Sequence, residues 1–150
     1  MRIIPPERVR GKMAVLRRWL VAAAILVAAP LQAQAADSAQ LEPGRRYTQW
    51  LYEGQTDSLW ARFSPEMRAA IPTAEALATM NEQIKAQVGT ETEVLQERIM
   101  DPSPEPGMTV YVRSARFSAA PMTIDVMVVT DAAGTIQGLS IRPQRQPDPS

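Results

Sequence analysis

The hydrophobic period of this 150-residue chain changes once, near Thr92. Before that point apolar residues recur at steps of three and four, the spacing of one helix face. Beyond it they alternate, the spacing of one strand face. A helical half followed by a strand half has few ways to bury both apolar faces. The simplest is to lay the helices on one side of a sheet. The pattern therefore predicts an α+β domain, with N-terminal helices packed on a curved antiparallel sheet of about four strands.

In the helical half, residues 36–44 read as a flexible N-terminus, because 36–42 are small and polar. Pro43-Gly44 opens a first helix with Tyr47, Trp50 and Leu51 on one face and Gly54 as its cap. A second helix starts near Thr56, Asp57 or Ser58 and carries Leu59, Trp60 and Phe63. Ser64-Pro65-Glu66 is a third start: Ser as N-cap, Pro at the first helical position, an acid near the positive end of the dipole. Thr73 caps the longest helix, Ala74 to about Val88, whose stripe reads Ala74, Leu77, Met80, Ile84 and Val88. A single stripe covers one face of something, and the predicted partner is the sheet.

The strand half divides at its turn residues. Val94 to Met100, Thr109 to Phe117, Met122 to Thr130 and Thr135 to Arg142 are the predicted strands. Three prolines between Asp101 and Gly107 cannot sustain a ladder of N–H donors, so that stretch is a loop. Asp131-Ala-Ala-Gly134 reads as a hairpin turn. On the third strand Met122, Ile124, Val126 and Val128 share an apolar face that should meet the helices. Thr123, Asp125, Met127 and Val129 share the other. The domain is expected to span 45–143, followed by a disordered tail, 144–150.

Residues 1–35 read as a secretory signal peptide. Arg17-Arg18 precede an uncharged run of eleven residues, Trp19 to Ala29. At about 1.5 Å per residue, this covers roughly half of a bilayer's hydrocarbon core. Pro30 breaks the run, and Ala33-Gln34-Ala35 offers the small-x-small exit that predicts cleavage between Ala35 and Ala36. Met13 is an alternative start, since Met13 to Ala35 is a complete signal. An uncleaved anchor is the competing reading. Cleavage predicts an exported chain, periplasmic or extracellular, with no stable membrane anchor.

Charge and residue types exclude more than they suggest. The chain carries 16 basic and 16 acidic residues, but from Ala36 onward there are 10 basic and 15 acidic, a net of −5. Nucleic acid is not an expected partner of such a body. There is no Cys and no His, which removes disulfides, thiolate chemistry, Cys/His metal sites and every His-assisted nucleophile. Gly-x-Ser-x-Gly, Ser-x-x-Lys and phosphate-cradling loops are missing. No catalytic residue, metal or cofactor is assigned.

Candidate pocket residues are Trp50, Trp60, Phe63, Tyr111 and Asp125. The aromatics suit either a core or a pocket wall. Tyr111 and Asp125, on neighbouring strands, are the pair an isomerase-like proton transfer would need. Arg98, Arg113 and Arg142 would form an anion site if their strands aligned. Glu91, Glu93 and Glu97 read as an acidic strand edge that discourages aggregation.

The phrase Tyr52-Glu-Gly-Gln-Thr-Asp-Ser-Leu-Trp-Ala-Arg-Phe-Ser-Pro-Glu-Met-Arg-Ala-Ala-Ile-Pro72 and the hairpin Thr130-Asp-Ala-Ala-Gly-Thr-Ile-Gln-Gly-Leu-Ser-Ile-Arg-Pro143 resemble the secreted module called domain of unknown function 3887. The resemblance covers about residues 45–143. It implies a cone-like (cystatin-like) α+β fold, similar to nuclear transport factor 2, and a module often found ahead of hydrolase domains. It carries no catalytic residue. Together these readings predict an exported, non-catalytic accessory or binding module. Its partners would be a protein, such as a hydrolase in trans, or a small apolar ligand. A homodimer through an exposed sheet face is a further expectation. The alternative is a cofactor-free isomerase-like enzyme using Asp125 and Tyr111.

Overall fold

The computed structural model describes residues 28–144. Most of the predicted leader, residues 1–27, and tail residues 145–150 lie outside the described residues. The chain divides into two compact units at Ser38/Ala39, and the second holds the elements that matter for function. The order is α1 (Ala28–Glu53), α2 (Thr56–Trp60), α3 (Pro65–Ala70), α4 (Ala74–Val88), β1 (Glu91–Ile99), β2 (Thr109–Phe117), β3 (Ile124–Thr130) and β4 (Ile136–Pro143). The four strands form an antiparallel meander, β1-β2-β3-β4. The fold is α+β, with helices packed on a four-stranded antiparallel sheet.

Local chemistry explains most boundaries. Ser64 caps α3 by accepting the Met67 amide at 3.2 Å, and Thr73 caps α4 by accepting the Ala76 amide at 3.1 Å. Gly89 closes α4. In the β3–β4 turn Gly134 takes φ 79°, the left-handed region that a side chain disfavours. Asp131 braces that turn, accepting the amides of Ala133 and Thr135 at 2.9 Å each.

Residues 36–44 are not a flexible lead-in: α1 runs through them, with Pro43 inside it. Tertiary packing outweighs the proline. Leu41 packs on the core, and Gly44 lies so close to Tyr111 that a Cβ there would stand 2.2 Å from the ring. The predicted cleavage point between Ala35 and Ala36 also falls within α1. No helix among the described residues is long and apolar enough to cross a membrane. The tail's first residue, Gln144, is tied by its amide to the Thr123 carbonyl at 2.8 Å.

The core lies between helices and sheet. Tyr47, Leu51, Leu59, Phe63, Leu77, Tyr111, Val128 and Ile136 form one cluster. Ala115, Phe117, Ile124 and Val126 form a second toward the other end of the sheet. The alternation predicted for β3 holds for Ile124, Val126 and Val128, which are buried. Met122 precedes the strand and is exposed. A bulge at Gln137 shifts the phase of β4, so Ile136 joins Leu139 and Ile141 in packing on the core. The segment before α3 is pinned to β4: Ile136 donates to the Arg62 carbonyl at 2.7 Å and Ser64 donates to the Ile136 carbonyl at 2.9 Å.

Helix α4 covers less of the sheet than its stripe implies. It meets the core through Leu77 near one end and Val88 at the other, and a cleft opens between them. Met80, predicted on the stripe, is exposed. Asn81 takes the inward position and donates from Nδ2 to the Leu51 carbonyl at 2.8 Å. That carbonyl sits in the last turn of α1, where it also accepts the Gly54 amide at 3.3 Å. A hydrogen-bonding side chain there does what a methionine could not.

Candidate functional site

Two features stand next to one another between α1, α4 and the sheet: a charged network and an apolar cleft. Strand β2 sends Tyr111, Arg113, Ala115 and Phe117 to the helix side, so Arg113 enters the interior between apolar neighbours. Its Nε and Nη2 donate to the two oxygens of Glu91 at 2.9 and 2.6 Å, and its Nη1 donates to Glu97 at 2.7 Å. Arg45, from α1, holds the other Glu97 oxygen at 3.0 and 2.8 Å. The Tyr111 hydroxyl donates to Glu97 at 2.5 Å and the Tyr52 hydroxyl to Glu91 at 2.9 Å.

Two bulges in β1 make this possible. Strict alternation would put Glu91, Glu93 and Glu97 on one face. Thr92 and Leu95 are extra residues against β2, so Glu91 and Glu97 turn inward while Glu93 turns outward to Arg116. The predicted acidic edge is therefore split, and two of its three members are half-buried ion-pair partners. This network was not expected from the sequence. Its signal was present in the alternation Tyr111, Arg113, Ala115, Phe117, which sets an arginine on a core face.

The network is built to stay charged. Burial works to raise the Glu97 carboxyl, but hydrogen bonds from Arg45, Tyr111 and Arg113 outweigh it and hold the group at about 2. Burial, reinforced by the adjacent carboxylates, pushes both tyrosine hydroxyls up. The Glu91 contact, against the opposing effect of burial, raises the Arg113 guanidinium. None of these four groups exchanges a proton near neutrality, so none is poised as a general acid or base. Among the described residues no cluster of three acidic groups could hold a metal ion.

The cleft adjoins the network on the α4 side. It has a volume of about 260 Å³ and is walled by Ile84 and Val88 from α4, Tyr52 from α1, and Phe117 and Ile141 from the sheet. Tyr52 and Phe117 meet edge to face, 6.0 Å between ring centres at 84°. A smaller cavity of about 70 Å³ continues under α4 toward Leu51 and Leu77. The two share Asn81, Ile84 and Ile141.

The predicted pocket residues are dispersed. Phe63 is core. Trp50 packs against Tyr47, ring centres 5.6 Å apart. Trp60 donates from Nε1 to the Ile71 carbonyl at 2.8 Å and carries the Arg68 guanidinium 4.4 Å above its ring. None of the three lines the cleft under α4. Tyr111 does border a second cleft, of about 320 Å³, between α1 and the β3–β4 hairpin.

Asp125 is separated from Tyr111 by the sheet itself. Tyr111 stands opposite Val128 and faces the helices; Asp125 stands opposite Ser114, on the other face, and accepts the Ser114 hydroxyl at 2.6 Å. The two cannot share a proton path, so the isomerase-like pair is not formed. Arg98 and Arg142 pair opposite Val112 and Asp125, away from the face of Arg113, and the predicted anion site does not assemble.

No protein-family model, no curated protein and no solved structure matches this chain.

Proposed function

We propose that the protein is an exported, non-catalytic binding module that takes a small apolar ligand in the cleft under α4. The observation that carries the reading is the cleft itself. Folded interiors are packed nearly as densely as organic crystals, yet here an amphipathic helix stands off the sheet over apolar walls. Ligand sites are concave and mostly apolar, with a few polar groups. This cleft fits that description in its lining and, at about 260 Å³, lies just below the usual size range of about 300–1,000 Å³. The neighbouring network supports a rigid wall rather than a reaction, since its carboxylates are already engaged by arginine and tyrosine.

Export rests on the residues of the leader, Arg17-Arg18 through Ala35. The second compact unit begins at Ala39, close to the predicted mature start at Ala36. An accessory role beside a hydrolase acting in trans rests on the resemblance of Tyr52–Pro72 and Thr130–Pro143 alone.

Titration with the neutral dye N-phenyl-1-naphthylamine tests the binding reading. The protein should give a saturable rise in dye emission, and Ile84→Glu should abolish it while leaving the circular dichroism spectrum unchanged. A wild-type protein that gives no saturable rise refutes the proposal. Intact mass of the protein recovered from outside the cytoplasm tests export, with Ala36 as the expected first residue.

A further inference from the structure

Asn81 is the one polar side chain that lines both cavities under α4. It is buried, at 3% exposure. Its amide nitrogen is committed to the Leu51 carbonyl at 2.8 Å. Among the described residues no donor reaches its Oδ1. The nearest cation on the same helix, Lys85, lies instead 3.5 Å from Glu82. Of the other polar residues lining the cleft, Glu91 is bonded to Arg113 and to Tyr52, and Lys85 and Thr90 complete the lining. The cleft thus presents apolar walls, a polar rim of Glu91, Lys85 and Thr90, and one side-chain carbonyl oxygen with capacity to accept.

From this arrangement we infer that the ligand is a compact apolar molecule bearing a single hydroxyl, which donates to Asn81 Oδ1. The inference rests on the cleft being a ligand site, and it specifies that ligand's chemistry. An occupant that fills the space must displace whatever solvent meets Oδ1 in the free protein. If it brings no donor, it leaves a buried acceptor unpaired, which costs affinity. A site holding such an acceptor therefore discriminates by hydrogen bonding more sharply than by one methylene of size. An acceptor-only ligand is the worst case, because its oxygen opposes Oδ1. A carboxylate would find the arginine forks near the cleft already filled by Glu91 and Glu97, leaving it only Lys85, itself 3.5 Å from Glu82. A hydroxyl satisfies the site without bringing in charge.

Three probes of nearly equal size separate the cases: benzyl alcohol, benzaldehyde and ethylbenzene. Each is titrated into the full folded domain and followed by amide chemical shifts of residues 81–90. The alcohol should bind about tenfold more tightly than the aldehyde, with the Asn81 side-chain amide among the shifted resonances. In Asn81→Leu the alcohol should lose that advantage and ethylbenzene should bind at least as well. The wild-type comparison stands by itself should the variant fold poorly. Binding of ethylbenzene and aldehyde as tight as that of the alcohol overturns the hydroxyl assignment and leaves the cleft a ligand site. Shifts from none of the three, together with no response to the neutral dye, overturn both.

Discussion

Replacing Arg113 by Met keeps the apolar stem and removes the charge. The guanidinium makes three charge-assisted hydrogen bonds, at 2.9, 2.6 and 2.7 Å, to two carboxylates. The arginine is 18% exposed, Glu91 15% and Glu97 14%. Without Arg113, Glu97 retains Arg45 and Tyr111, while Glu91 retains only the Tyr52 hydroxyl. Breaking a buried pair from one side costs about 3–5 kcal/mol, because the partner charge stays in place unpaired. The partial exposure and the surviving partners of Glu97 place this case near the lower end, about 3 kcal/mol.

The sign of the pH dependence follows from Glu97. Its folded carboxyl is held down at about 2, below the unfolded value of about 4.3. That stabilisation is fully present above the unfolded value and is lost as pH falls through the folded one. In Arg113→Met the Glu97 carboxylate loses one of the contacts that hold it down and protonates more readily in the folded state, which relieves the penalty. The deficit should be greatest at pH 7 and smaller at pH 3.5. Urea unfolding followed by tryptophan fluorescence at both pH values measures it. Arg116→Met is the control: its pair with Glu93 is mostly solvated, at 65% and 54% exposure, and should change stability by less than about 0.5 kcal/mol. A loss below about 1 kcal/mol for Arg113→Met at pH 7, or a deficit that grows on acidification, would refute the reading of the network as a buried ion cluster.

Two further substitutions test packing. Gly44→Ala should stabilise an isolated helix by about 1 kcal/mol, but its Cβ would fall 2.2 Å from the Tyr111 ring, which Glu97 holds by its hydroxyl. A net loss of about 1–3 kcal/mol in denaturant unfolding is expected, and a gain would show that α1 does not sit against Tyr111. Thr48→Val removes a buried hydroxyl that finds no partner among the described residues and keeps the side chain's shape. Stability should be unchanged or higher by about 1 kcal/mol; a drop in the thermal midpoint would mean that the hydroxyl is bonded in solution.

Much of this fold was legible because it is local. Ser64 and Thr73 cap helices through amides three residues ahead, Gly134 takes a conformation that other residues avoid, and the β2 and β3 faces follow from a period of two. These effects need only near neighbours in the chain, so residue order alone specifies them. The α+β class follows, since the two kinds of apolar face have to cover each other.

The candidate site was not legible in that way. Each of its parts depends on residues far apart in sequence. Bulges at Thr92 and Leu95 decide that Glu91 and Glu97 face inward and Glu93 outward, and a bulge is set by pairing with β2, not by β1 itself. The sheet face of Asp125 relative to Tyr111 could have been read from the register, but only once the pairing was known. The path of α1 through Pro43 depends on Leu41 and Gly44 meeting the core. Asn81 faces inward and donates to the Leu51 carbonyl, a contact between helices thirty residues apart in the chain. Residue order supplied the elements and their apolar faces. Long-range strand register and the packing of helices on the sheet decided which charges meet, where the cleft opens and what it offers a ligand.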